Sequence, residues 1–388
     1  MNRVCSIFNQ VLGLFPRLEF EADVREHKAE RHARGFTCWQ QFVAMLFCQL
    51  GHAQSLREIC GGLAATEGKV RHLGLLECPK PTTLSYANAH RPWQLYESVF
   101  HRTLARCQAE ASARSQRKFR FKHKLLSLDS TMVELCAEVF DWAKYKRTKG
   151  ALKIHMVLDH DGHLPAYAVM TEGKTADVTE ARKMRFEAGT LLVFDRGYSD
   201  YNWWLELTRS GVDFVTRLKD DAVYGVVESR PVPANSEIRS DEVILLVSQQ
   251  EVGPEALLRR IEVWVKERNE TMVFVTNNMK LAARTIARIY KERWKIELFF
   301  KALKQGLKVK TFVGTSENAV RIQIWTALIA MLVLKFLQLR STFGWSLSNL
   351  VALLRQQLFV YRDLWTWIND PFKAPPPLVE AEQMALPL

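Results

Sequence analysis

The 388-residue chain lacks the sequence features of several protein classes. Its seven cysteines all lie between Cys5 and Cys136, are odd in number and form no C-x-x-C pair. This usage argues against a disulfide framework or a zinc site and favours reduced thiols in a cytoplasm. The N-terminus shows neither the apolar segment nor the cleavage site of a secretory signal. The most apolar run, 324–336, contains Thr326 and Lys335, so we predict a buried core helix and no membrane span.

Motifs of other common enzyme classes are also missing. No Walker-type glycine-rich loop occurs, which argues against an ATP requirement. Ser127 and Ser130 flank Asp129 without a nucleophile-elbow pattern, so a hydrolase triad is not expected. Three histidines fall on a predicted strand and turn, where we expect surface residues and no metal ligands: His155, His160 and His163.

Positive charge is what the chain has in excess. The net charge of +12 favours an anionic partner, nucleic acid before a membrane surface. The charge is concentrated in 101–124, where eight Lys and Arg residues face one Glu. Cations and aromatics alternate at the end of this stretch, a pattern that can neutralise phosphates and stack on bases. A plain basic linker is the alternative to the DNA contacts that we predict for Arg117, Lys118, Arg120, Lys122 and Lys124.

The first hundred residues are predicted to be helical. Apolar residues recur at helical spacing over 36–50, and Gly51 is a plausible stop. After Pro79, Thr82 or Thr83 can cap a short helix that would enter a DNA groove. An ordinary helical hairpin is an equally good interpretation of this segment. On the DNA-binding interpretation, the helix exposes Ser85, Asn88, His90 and Arg91.

Two short apolar strands are predicted to end in an aspartate. Residues 125–128 lead to Asp129, and 190–194 lead to Asp195. Strands at 151–158 and 164–170, joined by an Asp-Gly turn, would complete an antiparallel β1-β2-β3 unit after the first acid. If the two acid-bearing strands are neighbours, their carboxylates lie side by side. A single aspartate after a strand is more often a turn residue or a helix cap.

The chain changes character after the second acid. Residues 219–282 alternate or run β-branched between Pro and Gly turns, which predicts a mostly β insertion. Its Trp264 fits a core position better than a platform for an unpaired base. Residues 288–308 contain no proline and one glycine near the end, so a single helix is predicted. On that helix one stripe carries a carboxylate among polar groups, either as ordinary ion pairs or as a metal and phosphate site: Tyr290, Arg293, Glu297 and Lys304.

Three motifs together resemble those of bacterial DDE transposases of the IS4 insertion-sequence family, in the RNase H-like superfamily. They are Leu128-Asp-Ser-Thr131, Phe194-Asp-Arg-Gly-Tyr198 and the Y-(2)-R-(3)-E-(6)-K signature from Tyr290 to Lys304. The match covers about 120–340. It implies an α/β fold with an RNase H-like catalytic core, a mostly β insertion, and helical regions before and after. The expected units are a helical DNA-binding region (1–118), a first core segment (119–218), the insertion (219–282), a second core segment with C-terminal helices (283–370) and a flexible tail (371–388).

The resemblance also implies a reaction. Asp129, Asp195 and Glu297 would be catalytic and hold two Mg²⁺ ions, with Mn²⁺ able to substitute. Contacts to DNA would come from Tyr290, Arg293, Lys304 and Arg196, with Trp264 a guess for a base-flipping role. The partners would be double-stranded DNA of transposon ends and target, and a second copy of the chain in a synaptic homodimer, in the cytoplasm at the nucleoid with no membrane. A nuclease that cuts without joining and a DNA-binding repressor are the alternatives.

Overall fold

The computed structural model describes residues 5–31, 33, 35–66, 69–114, 124–136, 142, 144–146, 149–234, 236–247, 253–306 and 312–373. The helices are α1 (Ile7–Leu12), α2 (Arg17–Glu26), α3 (Cys38–Gly51), α4 (Leu56–Ala64), α5 (Pro81–His90), α6 (Gln94–Arg114), α7 (Asp177–Ala181), α8 (Tyr201–Arg209), α9 (Ala283–Glu292), α10 (Trp294–Gly306), α11 (Glu317–Arg340), α12 (Leu347–Gln357) and α13 (Leu364–Asn369). The strands are β1 (Lys124–Cys136), β2 (Lys144–Lys146), β3 (Lys149–Asp159), β4 (Leu164–Glu172), β5 (Thr190–Phe194), β6 (Asp213–Arg217), β7 (Tyr224–Ser229), β8 (Ile238–Leu246), β9 (Leu258–Val265) and β10 (Glu270–Thr276).

The sheet contains an RNase H-like unit. Strands β4, β3 and β1 are antiparallel neighbours, and β5 and β6 follow as parallel strands beside β1. The predicted fold class is therefore confirmed. Beyond β6, strand β10 pairs antiparallel and continues the same sheet through β9, β8 and β7. Residues 219–282 thus supply β7, β8, β9 and β10, which lengthen the sheet and together form the sheet extension. The domain boundaries predicted from the sequence stay predictions.

Strand β1 is longer than the sequence predicts. We expected Asp129 at the C-terminal end of a short strand, and this detail is wrong because β3 pairs with β1 as far as Cys136. Parallel pairing with β5 nevertheless stops at Leu128, opposite Phe194. Asp129 is therefore the first residue of β1 beyond the parallel ladder, although it lies in the middle of a strand.

The predicted helix over 288–308 is interrupted. Helix α9 ends at Glu292 and α10 begins at Trp294, with Arg293 between them. The Arg293 N–H donates to the Tyr290 carbonyl at 3.0 Å, which is the tighter i to i+3 spacing. The two halves face different cores: Ile289 belongs to the cluster beneath β5, β6 and β10, whereas Ile296 belongs to the helical cluster. The interruption at Arg293 thus coincides with the change from one core to the other.

Helix α11 lies at the centre of the helical layer. It packs against α3, α5, α6 and α12, and its core cluster also includes the apolar face of β1, β3 and β4. It is long and apolar enough to cross a membrane, but 78% of that stretch is buried inside the protein. The segment 324–336 is thus within a core helix, as predicted. Its main partners are therefore helices.

Helix α5 exposes only two of the four residues predicted for its exposed face. It begins with Pro81 after Lys80 and is not capped by Thr82 or Thr83. Asn88 is buried and accepts a hydrogen bond from Gln41 Nε2 at 2.8 Å, while the Arg91 guanidinium donates to Gln41 Oε1 at 3.2 Å. Because α5 packs between α3 and α11, the side chains of Asn88 and Arg91 form hydrogen bonds with α3 within the helical layer. Ser85 and His90 are exposed, as expected.

The first and last described helices meet. The Ile7 N–H donates to the Val360 carbonyl at 3.0 Å, and the Phe8 N–H donates to the Leu358 carbonyl at 2.7 Å. Ser6 forms an antiparallel bridge with Tyr361. The C-terminal segment therefore closes the helical layer against α1. The predicted C-terminal helices include α12 and α13, and the tail beyond 373 lies outside the described residues.

Candidate active site

Asp129 and Asp195 occupy equivalent positions on adjacent parallel strands. The last register pair of β1 and β5 is Leu128 with Phe194, and each acid is the next residue along its strand. The pKa of Asp129 responds to the charge of Asp195, which places the two carboxylates within electrostatic reach. The two acid-bearing strands are therefore neighbours, which is the condition under which the sequence places their carboxylates side by side.

A main-chain amide orients the Asp129 carboxylate. The Ser130 N–H donates to Asp129 Oδ1 at 2.8 Å. The side chain is only 19% exposed, and this burial raises its pKa to about 6. The Ser130 amide and Arg293 act in the opposite direction, while the negative charges of Glu297 and Asp195 raise the pKa further. The raised pKa of Asp129 is thus chiefly an effect of burial, to which the two neighbouring acids add.

Arg293 connects Asp129 with Glu297. Its Nη1 lies 3.4 Å from Asp129 Oδ2, and its Nη2 donates to Glu297 Oε1, four residues ahead. Burial lowers the pKa of Arg293, but the surrounding Tyr290, Glu297 and aspartates outweigh it and raise the value above its ordinary range. The break between α9 and α10 places this guanidinium against the sheet.

Tyr290 supports Arg293 from the side of the sheet extension. Its ring is buried, packs against Phe274 with centroids 4.9 Å apart, and lies 5.7 Å from the Arg293 guanidinium carbon. Burial raises the pKa of the Tyr290 hydroxyl. Tyr290 is therefore positioned to limit the movement of the arginine, and its ring is held within the protein.

An open cavity of about 360 Å³ lies beside the acids. Its lining combines acidic, hydroxyl, apolar and basic groups: Asp129, Ser130, Thr131, Glu297, Phe300, Lys301 and Lys304. Lys304 belongs to the predicted stripe. Lys301 was not predicted, although its position one helical turn after Glu297 was a usable signal. Two lysines beside two acids suit a ligand that carries negative charge and a counter-cation.

The acids have the chemistry of a Mg²⁺ site, although they face an arginine. Within the described ranges, no three His, Cys, Asp or Glu side chains are grouped closely enough to hold a metal ion. Carboxylate oxygens are the ligands that Mg²⁺ prefers. The upward push of Glu297 and Asp195 on the Asp129 pKa is a repulsion that a divalent cation would relieve. The residue types and their charges therefore fit the metal.

Other predicted DNA contacts lie away from the cavity or outside the described residues. Arg196 follows Asp195, is about half exposed and pairs with Asp220 at 3.3 Å. Lys124 begins β1 and pairs with Asp159 at 3.4 Å. Trp264 on β9 is partly buried, with the Arg239 guanidinium carbon 5.9 Å from its ring centroid. The four basic residues that the structure does not describe are Arg117, Lys118, Arg120 and Lys122.

The prediction of surface histidines is wrong for His155. This side chain is fully buried on β3, and its Nε2 lies 2.8 Å from Thr171 Oγ1. His160 is partly buried, with Nε2 2.7 Å from Ser127 Oγ. Both histidines are covered because β3 lies between β1 and β4 in the sheet. Local sequence patterns do not report that position.

The arrangement of acids agrees with a comparison against protein families. Residues 120–333 match the family described as the transposase DDE domain. The chain belongs to this family. In this DDE transposase, residues 4–76 also match a domain of unknown function, DUF4372. The predicted membership of the DDE transposases is confirmed.

Several relatives of this DDE transposase carry transposase names. The protein y4zB of Sinorhizobium fredii is 29% identical over 330 residues, which cover 83% of this chain and 88% of that protein. The protein named for insertion sequence IS5377 of Geobacillus stearothermophilus is 30% identical over 62% of this chain and 63% of its own length. The protein named for IS4SA of a Synechocystis strain is 54% identical over 52 residues, which are 13% of this chain and 15% of that protein.

One solved structure is similar at low identity. The piggyBac transposase synaptic complex with hairpin DNA aligns over 94% of this chain and 82% of its own, with 10% identity and a TM-score of 0.44.

Proposed function

We propose that this DDE transposase binds the terminal inverted repeats of an insertion sequence, cleaves its ends and joins the freed 3′-hydroxyls to target DNA. The observation that carries the proposal is the position of Asp129 and Asp195, each directly after the last register pair of the parallel strands β1 and β5, with Glu297 linked to Asp129 through Arg293. Two acids and two lysines lining one cavity, with the charge of Asp195 acting on Asp129, are suited to hydrolysis and transesterification of a phosphodiester.

Asp129, Asp195 and Glu297 would hold the metal, two Mg²⁺ ions per site with Mn²⁺ able to replace them. When bound, these ions would supply Lewis-acid activation of the attacking oxygen and stabilisation of the leaving oxygen. The Ser130 amide holds the Asp129 carboxylate in a fixed orientation. Because the pKa of Asp129 is about 6, the carboxylate is mostly ionised at pH 7 and available as a ligand.

The cations of the cavity would bind the phosphate. Lys301 and Lys304 line the same cavity as Asp129 and Glu297, so both can neutralise a DNA backbone brought to the acids. Arg293 has its guanidinium among the acids, and the Tyr290 ring keeps it there. In the DNA complex, Arg293 would exchange some of its pairing with the acids for the phosphate next to the cut.

DNA further from the cut would be held by the remaining basic residues. The net charge of +12 supports an extended phosphate contact. Arg196 and Lys124 are partly exposed and available for this role, as is the basic stretch of Arg117, Lys118, Arg120 and Lys122. Trp264 stays a guess for a stacking role. Two ends must be cut together, so we propose a synaptic homodimer acting on the bacterial nucleoid in the cytoplasm.

Glu297→Gln tests the assignment because it removes the charge and nearly keeps the shape. A DNA fragment carrying both ends from the flanks of the coding region would be incubated with the protein and Mg²⁺. We expect Glu297→Gln to lower the cleavage rate by more than about 100-fold, the scale of losing a group that acts in the transition state, while end binding persists. Glu317→Gln, which removes an exposed acid paired with Arg321 on α11, is the control.

The products distinguish the alternatives. Nicks without joined products would indicate a nuclease. Binding without cleavage by the wild type would indicate a repressor. Cleavage at the wild-type rate by Glu297→Gln would contradict the assignment of the site.

A further inference from the structure

A second polar network lies behind Asp129, on the opposite face of β1. Ser130 Oγ donates to Asp177 Oδ1 at 2.7 Å. The same carboxylate oxygen lies 3.2 Å from Lys153 Nζ and 3.6 Å from His155 Nδ1. In the register of β1 and β3, Ser130 is opposite His155 and Met132 is opposite Lys153, so the groups share one face of the sheet. Asp177 approaches that face as the first residue of α7.

The partners of Asp177 are themselves fixed. Lys153 is mostly buried, and its Nζ also donates to the Thr175 carbonyl at 2.8 Å. His155 is fully buried and bonded to Thr171 on β4. Asp177 is therefore tied to two strands and to the turn before α7. A carboxylate held at this many points can hold a neighbour in turn.

Ser130 connects this network with the candidate active site. Its side chain bonds to Asp177, and its backbone N–H bonds to Asp129 Oδ1. The parallel ladder with β5 ends two residues earlier, at Leu128, so β1 is no longer paired with β5 at Ser130. The hydrogen bond to Asp177 therefore restrains Ser130 at a position where pairing with β5 no longer does.

We propose that Asp177 is a positioning residue, which holds Ser130 and thereby fixes the backbone amide that orients the Asp129 carboxylate. This inference rests on the proposed function of Asp129 as a metal-binding catalytic acid. It assigns Asp177 no contact with metal or DNA. The competing interpretation is an ion pair with Lys153 that stabilises the fold and has no effect on the acids.

Asp200 provides a matched control. The Asp177 side chain is 28% exposed and that of Asp200 is 27% exposed. Each pairs with a cation, since Asp200 Oδ1 lies 2.7 Å from Arg182 Nη2, and each lies at the start of a helix. Asp200 bonds to the amide of Trp203 and to Arg182, away from Ser130. Asp177→Ala and Asp200→Ala therefore remove similar interactions. Only Asp177 belongs to the network behind Asp129.

Three measurements on the full chain would be compared: the melting temperature, the Kd of Mn²⁺ without DNA, and the single-turnover cleavage rate at saturating Mg²⁺. We expect both variants to melt at a lower temperature. Only Asp177→Ala should weaken Mn²⁺ binding and slow cleavage, each by about 10-fold, as is usual when a group supporting a metal ligand is lost. Equal Mn²⁺ affinity and equal rates for the two variants would overturn the inference.

A double-mutant cycle tests the route through Ser130. Ser130→Ala and Asp177→Ala should slow cleavage to a similar extent, and the double variant should be no slower than either one, because the same connection is broken. Ser130→Thr keeps a hydroxyl and should restore most of the rate. Effects that multiply in the double variant would contradict this route.

The outcomes also separate this inference from the proposed function. If Glu297→Gln cleaves like the wild type, the proposed function fails first. If Glu297→Gln is inactive and Asp177→Ala cleaves like Asp200→Ala, only the positioning role is refuted.

Discussion

Arg259 and Arg293 both pair with carboxylates, and their surroundings differ. In the sheet extension, the Arg259 side chain is 5% exposed, with Nε 2.7 Å from Asp241 Oδ1 and Nη2 2.5 Å from Asp241 Oδ2. Its Nη1 donates to the Leu281 carbonyl. At the candidate active site, Arg293 is 16% exposed, serves Asp129 and Glu297 from one guanidinium, and keeps a buried Nε without a hydrogen-bond partner among the described residues.

The difference separates a structural pair from a site prepared for ligands. Arg259 and Asp241 form a bidentate pair of matched charges, which is the strongest arrangement of such groups. Arg293 is one positive charge among three acids, and its contact with Asp129 is long at 3.4 Å. Arg293 alone therefore does not neutralise the three acids, and two further cations, Lys301 and Lys304, line the same cavity. A functional site can be recognised here by incomplete pairing.

The largest predicted contrast concerns folding stability. Arg259→Ala leaves Asp241 buried without its partner, so we expect the free energy of unfolding to fall by about 3–5 kcal/mol. Arg293→Ala removes one hydrogen-bonded charge from a partly solvated site, so a loss of about 1–2 kcal/mol is expected. Urea denaturation measures both. Saturating Mg²⁺ should recover much of the loss in Arg293→Ala and none in Arg259→Ala; equal losses with equal responses to Mg²⁺ would remove the distinction.

The second largest expected effect is a pH dependence of the free energy of unfolding that arises at the candidate active site. The folded-state pKa of Asp129, about 6, exceeds its ordinary value of 3.8, so the folded protein binds this proton more tightly than the unfolded chain. Protonation of Asp129 therefore adds at most about 3 kcal/mol to the free energy of unfolding. This contribution is complete below about pH 4 and is lost as the pH rises to about 6. Unfolding of the wild type and Asp129→Asn would be compared from pH 4 to 7 without divalent ions. Parallel curves for the two proteins would contradict the shift.

The smallest stability effects are expected at the exposed basic residues. Arg196→Ala breaks a surface pair with Asp220 and should change the free energy of unfolding by less than about 1 kcal/mol. Its effect, like that of Lys304→Ala, should appear in DNA binding, where the slope of log K against log salt falls by about 1 for each phosphate that is no longer neutralised. Binding titrations at several salt concentrations measure this. An unchanged slope would exclude a phosphate contact for the residue concerned.

Local patterns predicted those features of the site that depend on neighbouring residues in the chain. The apolar run before Asp195 became β5, and the apolar segment 324–336 lies inside α11. The pairing of β1 with β5, which the sequence left as a condition, is present in the structure. The predicted strand β1 is too short because its continuation to Cys136 depends on pairing with β3. Local apolar runs do not predict that pairing.

Contacts between distant residues were beyond the sequence patterns. The break at Arg293 arises because Ile289 and Ile296 are buried in different clusters, a fact of tertiary packing. Ser130 and Asp177 are 47 residues apart, and neither belongs to a spacing that suggests a contact. The sequence marked Arg293 as a phosphate ligand, and its position between two acids required the structure. Charge pairing across elements is thus the least predictable aspect of the site.

The meeting of α1 with the segment 358–361 has a consequence for synthesis. Helices α3 and α11 share one hydrophobic cluster, and the strand-like contact of Ile7 with Val360 closes the layer. A ribosome releases the N-terminal helices first. Apolar surfaces on the N-terminal helices, such as that of Phe100, which packs against Trp325 of α11, therefore stay uncovered until most of the chain has been made. A fragment of residues 1–118 should accordingly bind a hydrophobic dye or a chaperone that the complete chain does not, so the first helices to be translated are among the last to reach their final environment.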